Sequence, residues 1–459
     1  MEIIKFLSKL RGFRGIAIIG ALLIVFFSSS LMVGKAQEQE FVDISKFKLN
    51  SETTINAAFK RAVFYAKLLG HTDLRLPAGT WYVDSTGSSS DTWYNPIGSS
   101  SDKNAGLVIP SNFNLYLADD CVIQSIATSK ANYRIINIQS VENVNVFGGT
   151  IKGDRNEHIA NTGEWGNGIV IKDSKNINIY GTKIVDCWGD GVYLGVGSEK
   201  VFLHNIYSSN NRRNNLSLIS CKVFRAKNCV FNNANGTLPM AGVDVEPNDG
   251  TSDLEDIKFI DCVFRGNERG FAVNVVRMKD TRKNIDVEFR RPLVENSQLG
   301  ITVRTTSGIT GQIKITMPTI REINGRGIWL IDPVVGGAKT ILYQPIIEKC
   351  QKGRTTEKDV RIFGAITAFC NTDTITEQLG NVAIIEPYID SPNSLSSISF
   401  TDMRTKPQKL KNIKIIKPKA LNSAYDVSLK KSAYYKNRYF IDGYKDNSQD
   451  EVNKDIIIK

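Results

Sequence analysis

Apolar residues alternate with polar ones in short segments that recur along the middle of the chain: Gly168-Ile-Val-Ile171, Gly191-Val-Tyr-Leu194, Asn215-Leu-Ser-Leu218 and Gly242-Val-Asp-Val245. Their second and fourth positions are apolar, which is the period of a strand with one buried face. The segments start 23, 24 and 27 residues apart. A near-constant interval of this size marks a stacked repeat. The pattern continues more weakly at Gly270-Phe-Ala-Val273, Gly300-Ile-Thr-Val303 and Gly327-Ile-Trp-Leu330.

A second series is interleaved with the first. It includes Asn143-Val-Asn-Val146, Asn176-Ile-Asn-Ile179, Lys200-Val-Phe-Leu203, Lys222-Val-Phe-Arg225 and Asp256-Ile-Lys-Phe259, and it runs on through Asn284, Gln312, Thr340 and Asn381 to Asn412-Ile-Lys-Ile415. Two strand series with one period and no helical pattern between them predict a coil of short parallel strands. One turn cannot bury its apolar face alone, so the turns stack. A leucine-rich repeat would put Leu at most framework positions and a helix in each unit, and neither is present. The predicted fold is all-β: a single-stranded, right-handed parallel β-helix of roughly ten turns over residues 72–420.

The ends read differently. Between Ser51 and Leu69 the apolar spacing turns helical (Ile55, Phe59, Ala62, Val63, Ala66, Leu69), with Ser51 or Thr53 as the expected cap and Gly70 as the stop. Residues 37–71 then form an N-terminal cap over the open sheet edge. Residues 1–36 carry four basic residues before an uncharged run from Gly15 to Gly34, with a small-x-small cleavage site at Gly34-Lys35-Ala36. This is the pattern of a signal peptide, with a retained membrane anchor as the alternative, and either places the body of the protein outside the cytoplasm. Loops are expected at 85–103, around Glu357 and at 371–380. Residues 421–459 form an end-piece with Tyr434-Tyr435 and Tyr439-Phe440, then a charged tail.

The capping helix followed by Leu76-Pro-Ala-Gly-Thr-Trp-Tyr-Val83 resembles the start of the pectate-lyase-like β-helix superfamily, over roughly Asp43 to Lys419. That superfamily includes polysaccharide lyases, glycoside hydrolases, sugar epimerases and phage tailspikes, so the resemblance implies a fold and a carbohydrate partner but no one reaction. The Gly153-Asp-Arg, Gly163-Glu-Trp-Gly, Trp188-Gly-Asp-Gly, Asn211-Arg-Arg and Gly242-Val-Asp-Val-Glu-Pro-Asn segments are similar to a bacterial and phage subgroup of it. The Asn-Thr-Asp, Asp-Asp, Gly-His-Gly and Arg-Ile-Lys set of polygalacturonases is absent as a set, since the chain has no Gly-His-Gly and no Arg-Ile-Lys, and the Asp-Pro-His-Glu stretch of mannuronan epimerases is absent too.

The formal net charge is +11, much of it near the N-terminus and after Arg404. This suits either a solvated basic surface or an acidic polysaccharide. No arginine-rich or aromatic-interleaved motif points to nucleic acid. Seven cysteines are scattered, and Cys229 and Cys262 occupy equivalent places, which suits a ladder of thiols or a disulfide between turns. His71 and His204 read as structural.

If second and fourth positions point inward, the first, third and fifth point out. The outward set is then Val170, Lys172, Tyr193, Ser217, Asp244, Glu246, Asn274 and Arg304, with Asp190, Arg212 and Arg213 at one edge. Adjacent turns lie about 4.8 Å apart, which gathers these residues into one patch. Asp190, Arg213, Asp244 and Glu246 are the candidate catalytic residues. A hydrolase needs an acid and a base, and Asp244 and Glu246 stand about 6.7 Å apart at Cα. A lyase needs a base, the role Arg212 or Arg213 would take by resemblance, and a cation, Ca²⁺, held by Asp190, Asp244 and Glu246. A hydrolase needs no cofactor. The insertion carrying Asp154, Arg155, His158, Glu164 and Trp165, together with Trp188, Tyr193, Arg212, Asn274 and Arg304, would bind substrate, the Trp as a platform for a sugar ring. The expected function is cleavage of a polysaccharide, acidic by the balance of charge, by lyase or hydrolase chemistry. A non-catalytic carbohydrate-binding solenoid and an epimerase are the alternatives.

The N-terminal segment yields the first test. Expressed in its host, the mature chain should begin near Gln37 or stay membrane-bound, as read by N-terminal sequencing. An intact soluble cytoplasmic form contradicts this expectation.

Overall fold

The computed structural model describes residues 41–459 apart from 88–103, 353–363, 371, 395, 403, 406–409, 418–419, 423–437, 442–455 and 459. The N-terminal segment, most of the 85–103 loop, Glu357, Tyr434-Tyr435 and the charged tail therefore lie outside the described residues. The rest folds as a right-handed parallel β-helix built on three long sheets, with one α-helix among the described residues.

Sheet 1 carries the first series. Its register stacks Ile169, Val192, Leu216, Val243, Phe271, Ile301 and Ile328 in one inward file. Sheet 2 carries the second series, with Val144, Ile177, Val201, Phe224, Ile257 and Val287 stacked likewise. These files are buried throughout and form one continuous core. Burial of such side chains is worth roughly 1.5–3 kcal/mol each, and repetition coil after coil sustains a solenoid with no other core.

Polar ladders accompany the apolar ones. Asn145 donates to Asn114 at 2.6 Å and Asn178 donates to Asn145 at 2.8 Å, while Asn176 donates to Asn143 two residues earlier in the same strands. Tyr116, Phe147, Tyr180 and His204 stack in turn, with ring centroids 4.7–5.1 Å apart. All seven cysteines are buried free thiols, Cys229 and Cys262 among them, so the ladder holds and the disulfide does not form.

The structure departs from the sequence reading in five ways. First, a third sheet exists. Its strands are mostly three residues long, such as Lys183–Val185, Tyr207–Ser209, Val230–Asn232 and Val263–Arg265, and each contributes one central inward residue such as Ile184, Phe231 or Phe264. Three residues hold too little alternation to be seen as a period. Second, sheets 1 and 3 have twelve strands and sheet 2 has fourteen, more than ten turns.

Third, two segments are out of frame by one. Val223 adopts a left-handed backbone (φ 63°), so Phe224 and Ala226 face in and Arg225 does not. In the Thr340 strand, Thr340 and Leu342 are the buried pair. Fourth, the first position of sheet 1 does not point out. A Cβ on Gly300 would lie 2.2 Å from the Gly327 carbonyl oxygen, and one on Gly242 2.4 Å from that of Gly270. The recurring Gly therefore marks where one coil's backbone crosses close over the next.

Fifth, the helix spans Asn56–Leu69 and starts later than expected. Its cap position is Ile55, without a side-chain cap, and neither Ser51 nor Thr53 serves. Instead the Asn56 side chain holds the backbone of Asp84 and Gly106, tying the helix to the first coils. Gly70 ends it in the left-handed conformation, as expected. At the other end Arg438–Ile441 pairs antiparallel with Ser396–Asp402, a change of direction that closes sheet 1.

Gly300→Ala should lower stability by about 1–3 kcal/mol through overpacking against the Gly327 carbonyl. Thermal unfolding checks this, and an unchanged midpoint would show that the coils can spread there.

Candidate functional site

The outward file of sheet 1 is set by register: Asn137, Val170, Tyr193, Ser217, Asp244, Ala272, Thr302 and Trp329 stand one above another. Glu246 and Asn274 stand beside it, and Asn274 donates a 3.0 Å hydrogen bond to Glu246 Oε1. The expected patch is therefore assembled.

It is far less exposed than expected. Asp244 is 4% exposed and Asp190 0%. Burial and the neighbouring Glu246 push Asp244 up to about 7, against the pull of Arg213 and Arg269. Asp190 is raised by burial, opposed by Arg213, Ser217 and the Asn214 N–H. Arg213 Nη1 donates to Asp190 Oδ2 at 3.1 Å and to Oδ1 at 3.3 Å, and the Asn214 N–H reaches Oδ1 at 3.0 Å. Arg213 also pairs with Glu164 (Nε to Oε2, 3.5 Å) and reaches Ser217 Oγ at 3.3 Å. Burial works against the charge of Arg213, but Asp190, Asp244 and Glu164 outweigh it and raise its pKa. A guanidinium held in this way is a poor proton acceptor, so the base role expected for Arg213 is not supported. Asp190, closed to solvent, orients Arg213.

The corner that holds Arg213 is built of asparagines. Asn167 accepts the Asp190 N–H at 2.9 Å, Asn211 accepts the Cys187 N–H at 3.0 Å, and Asn214 donates to Ser217 Oγ at 3.0 Å. Asn215 donates to the Asn232 carbonyl. The Asn210–Asn215 run advertised this corner, but its two arginines drew the sequence reading toward charge.

The insertion before this corner behaves differently from its expected role. Asp154 is fully buried; it accepts from Tyr133 Oη and the Thr128 N–H and sits 2.8 Å from His158 Nδ1. The Trp188 ring lies 4.0 Å from the His158 ring and 4.0 Å from the Arg212 guanidinium, which leaves neither face for a sugar. Arg212 also donates to the Gly163 carbonyl at 2.6 Å, and Arg155 to the Asn210 carbonyl and Asn235. Asp154, Arg155, His158, Trp188 and Arg212 are thus consumed in pinning the loop, and their assignment to substrate binding is corrected. Trp165 remains 49% exposed beside Glu164. Arg304 is paired with Asp332 at 3.1 Å. Arg269, Arg326 and Trp329 are not singled out by the sequence analysis, although Trp329 holds the outward third position of Gly327-Ile-Trp-Leu330 and each arginine precedes the Gly of its repeat, as Asp190 does.

Calcium was the cofactor expected of a lyase. Among the described residues no group of three or more His, Cys, Asp or Glu side chains is arranged to hold a metal ion, and both Asp190 oxygens are engaged. The expected triad does not fit the ion, and no step is derived through it.

The packed stack yields a stability test. Trp188→Ala should cost about 3–5 kcal/mol and make residues 153–165 sensitive to proteolysis. Wild-type stability with lost ligand affinity would instead restore Trp188 as a binding residue.

No protein-family model matches the chain. Two Bacillus subtilis (strain 168) proteins are similar: the uncharacterized protein YclG, 29% identical over 248 residues, and the SPbeta prophage-derived uncharacterized protein YorA, 29% identical over 262. Each match covers 50% of this chain but only 40% and 43% of those proteins. Among solved structures, the A-module of the Azotobacter vinelandii mannuronan C-5 epimerase AlgE6 superposes with a TM-score of 0.59 at 13% identity, over 84% of this chain and 95% of that one. The tailspike protein of E. coli bacteriophage HK620, solved with a pentasaccharide, gives 0.52 at 14% identity, over 82% and 65%. At such identities the likeness is one of fold: the chain has a right-handed parallel β-helix, as those structures do.

Proposed function

We propose that this protein cleaves a polysaccharide by glycoside hydrolysis on the outer face of sheet 1, with Asp244 as general acid and Glu246 as its partner. One observation carries the reading. The two acids stand two residues apart on one strand face, and burial beside Glu246 raises Asp244 to about 7. Two carboxyl groups whose surroundings separate their roles are the working parts of a glycosidase. Asp244 protonates the departing glycosidic oxygen. Glu246, oriented by Asn274, activates water or attacks the sugar carbon. Trp165 offers an apolar ring beside the face, and Arg213, oriented by Asp190, supplies a fixed positive charge near the acids. The carbohydrate reading is supported by the solved neighbours, an epimerase of mannuronan and a tailspike holding a pentasaccharide. The basic-then-apolar N-terminal segment supports action outside the cytoplasm.

Asp244→Asn and Glu246→Gln should each lower release of reducing ends by a factor on the order of 10² or more. Activity should fall as pH rises through about 7, where Asp244 loses its proton. The same group links to stability. Its folded pKa lies above the unfolded value, so its contribution is full below about 3.9 and is lost as pH rises through about 7. Asp244→Asn should therefore raise the unfolding temperature at pH 8 more than at pH 5. Wild-type turnover in both variants would overturn the assignment. Ultraviolet absorbance from an unsaturated uronate would mark a lyase, and neither signal a binder or an epimerase.

A further inference from the structure

The outer face of sheet 3 carries a file of its own. Register stacks Val230, Val263, Leu293, Thr319, Ile346 and Tyr388, the first residues of six successive short strands. All but Thr319 are apolar or aromatic, and all are half-buried or exposed, Ile346 at 41% and Tyr388 at 37%. With coils about 4.8 Å apart, the stripe runs about 24 Å along the axis. A contiguous apolar stripe between polar borders is the anatomy of a surface that another protein covers.

The borders are charged, and their cations are already paired within the chain. On one side the third residues of the same strands form a ladder of alternating sign, Arg265, Glu295, Arg321 and Glu348. Glu295 takes both neighbours, Arg265 Nε at 2.6 Å and Arg321 Nε at 2.8 Å. On the other side Arg291 donates to Asp261 at 2.7 and 2.8 Å. Borders so neutralised offer little to a polyanion or an anionic bilayer. They do let two copies of a chain of net charge +11 approach each other.

The order of residues suits a second copy laid end for end, about a two-fold axis between the Leu293 and Thr319 coils. Stripe then meets stripe, with Leu293 against Thr319, Val263 against Ile346 and Val230 against Tyr388. Each pairing sets a larger side chain against a smaller one. The ladders meet antiparallel as well, so that Arg265 faces Glu348 of the other copy and Glu295 faces Arg321. A two-fold axis makes every such contact twice. Parallel copies would instead set Tyr388 on Tyr388 and Val230 on Val230, crowded at one end and gapped at the other. A stripe of this length with a border on each side covers an area on the order of the 800 Å² per partner that stable interfaces bury.

We infer that the outer face of sheet 3 is a dimer interface, covered by a second copy of this chain laid antiparallel about an axis between Leu293 and Thr319. The inference does not rest on the polysaccharide reading, which concerns sheet 1.

The chain as its host produces it, followed by sedimentation velocity in the micromolar range, should run as a dimer. Ile346→Arg, which puts a charge into the stripe, and Arg321→Glu, which sets like charge against Glu295, should each raise the dissociation constant about tenfold or more. Circular dichroism confirms the fold of each variant, and should Arg321→Glu not fold, Ile346→Arg carries the test. The native cysteines are all buried, so a single surface cysteine can be addressed. A short bismaleimide should join a Val263→Cys copy to a differently tagged Ile346→Cys copy, and neither to its own kind. A monomer throughout that range overturns the inference, as does association that Ile346→Arg leaves intact. Cross-linking of Ile346→Cys to itself, the mark of parallel copies, overturns it too.

Discussion

Everything in this molecule depends on parallel backbone pairing between successive coils in constant register. Val170, Tyr193, Ser217 and Asp244 come from positions up to 74 residues apart, yet register stacks them in one file. The close approach at the glycine corner belongs to the same constraint. Where a Cβ on Gly300 would meet a carbonyl at 2.2 Å, the spacing between coils leaves no room for any side chain. The coil spacing thus sets the fold and the distance between candidate site residues together.

That constraint also explains why charged groups are buried on an outward face. A flat sheet gives its outward side chains little cover. Here the pinned insertion, held by the His158–Trp188–Arg212 stack, places Glu164 against Arg213 at the edge of the file. Burial then does the electrostatic work. The carboxyl of Asp244 is deprived of water and sits beside Glu246, so its proton affinity rises. Asp190, equally buried, is compensated by Arg213 and a backbone N–H. The two aspartates, two coils apart, differ in their partners: Arg213 and the Asn214 N–H donate to Asp190, whereas Glu246 stands against Asp244.

The asparagine corner links fold to site. Asn167, Asn211, Asn214 and Asn215 satisfy backbone groups that would otherwise be orphaned where the chain turns into sheet 1. The same side chains orient Asp190 and Ser217. Rigid support beneath a polar patch keeps its geometry fixed without a ligand.

The alternation of apolar residues, repeated at a near-constant interval, determined the architecture, the helix near the N-terminus and which strands share sheet 1. It also placed Tyr193, Asp244, Glu246, Asn274 and Arg304 on one face, because period and register are properties of spacing. Spacing could not reveal the third sheet, whose strands of three residues hold one inward side chain each, nor the frame slip at Val223, which depends on a backbone angle. Nor could it tell Asp154 and Trp188 from Asp244 and Trp165. The first pair is spent inside the insertion and the second stands at the face. That difference depends on which side chains cover which, and burial, with the proton affinities that follow from it, exists only once the coils are stacked.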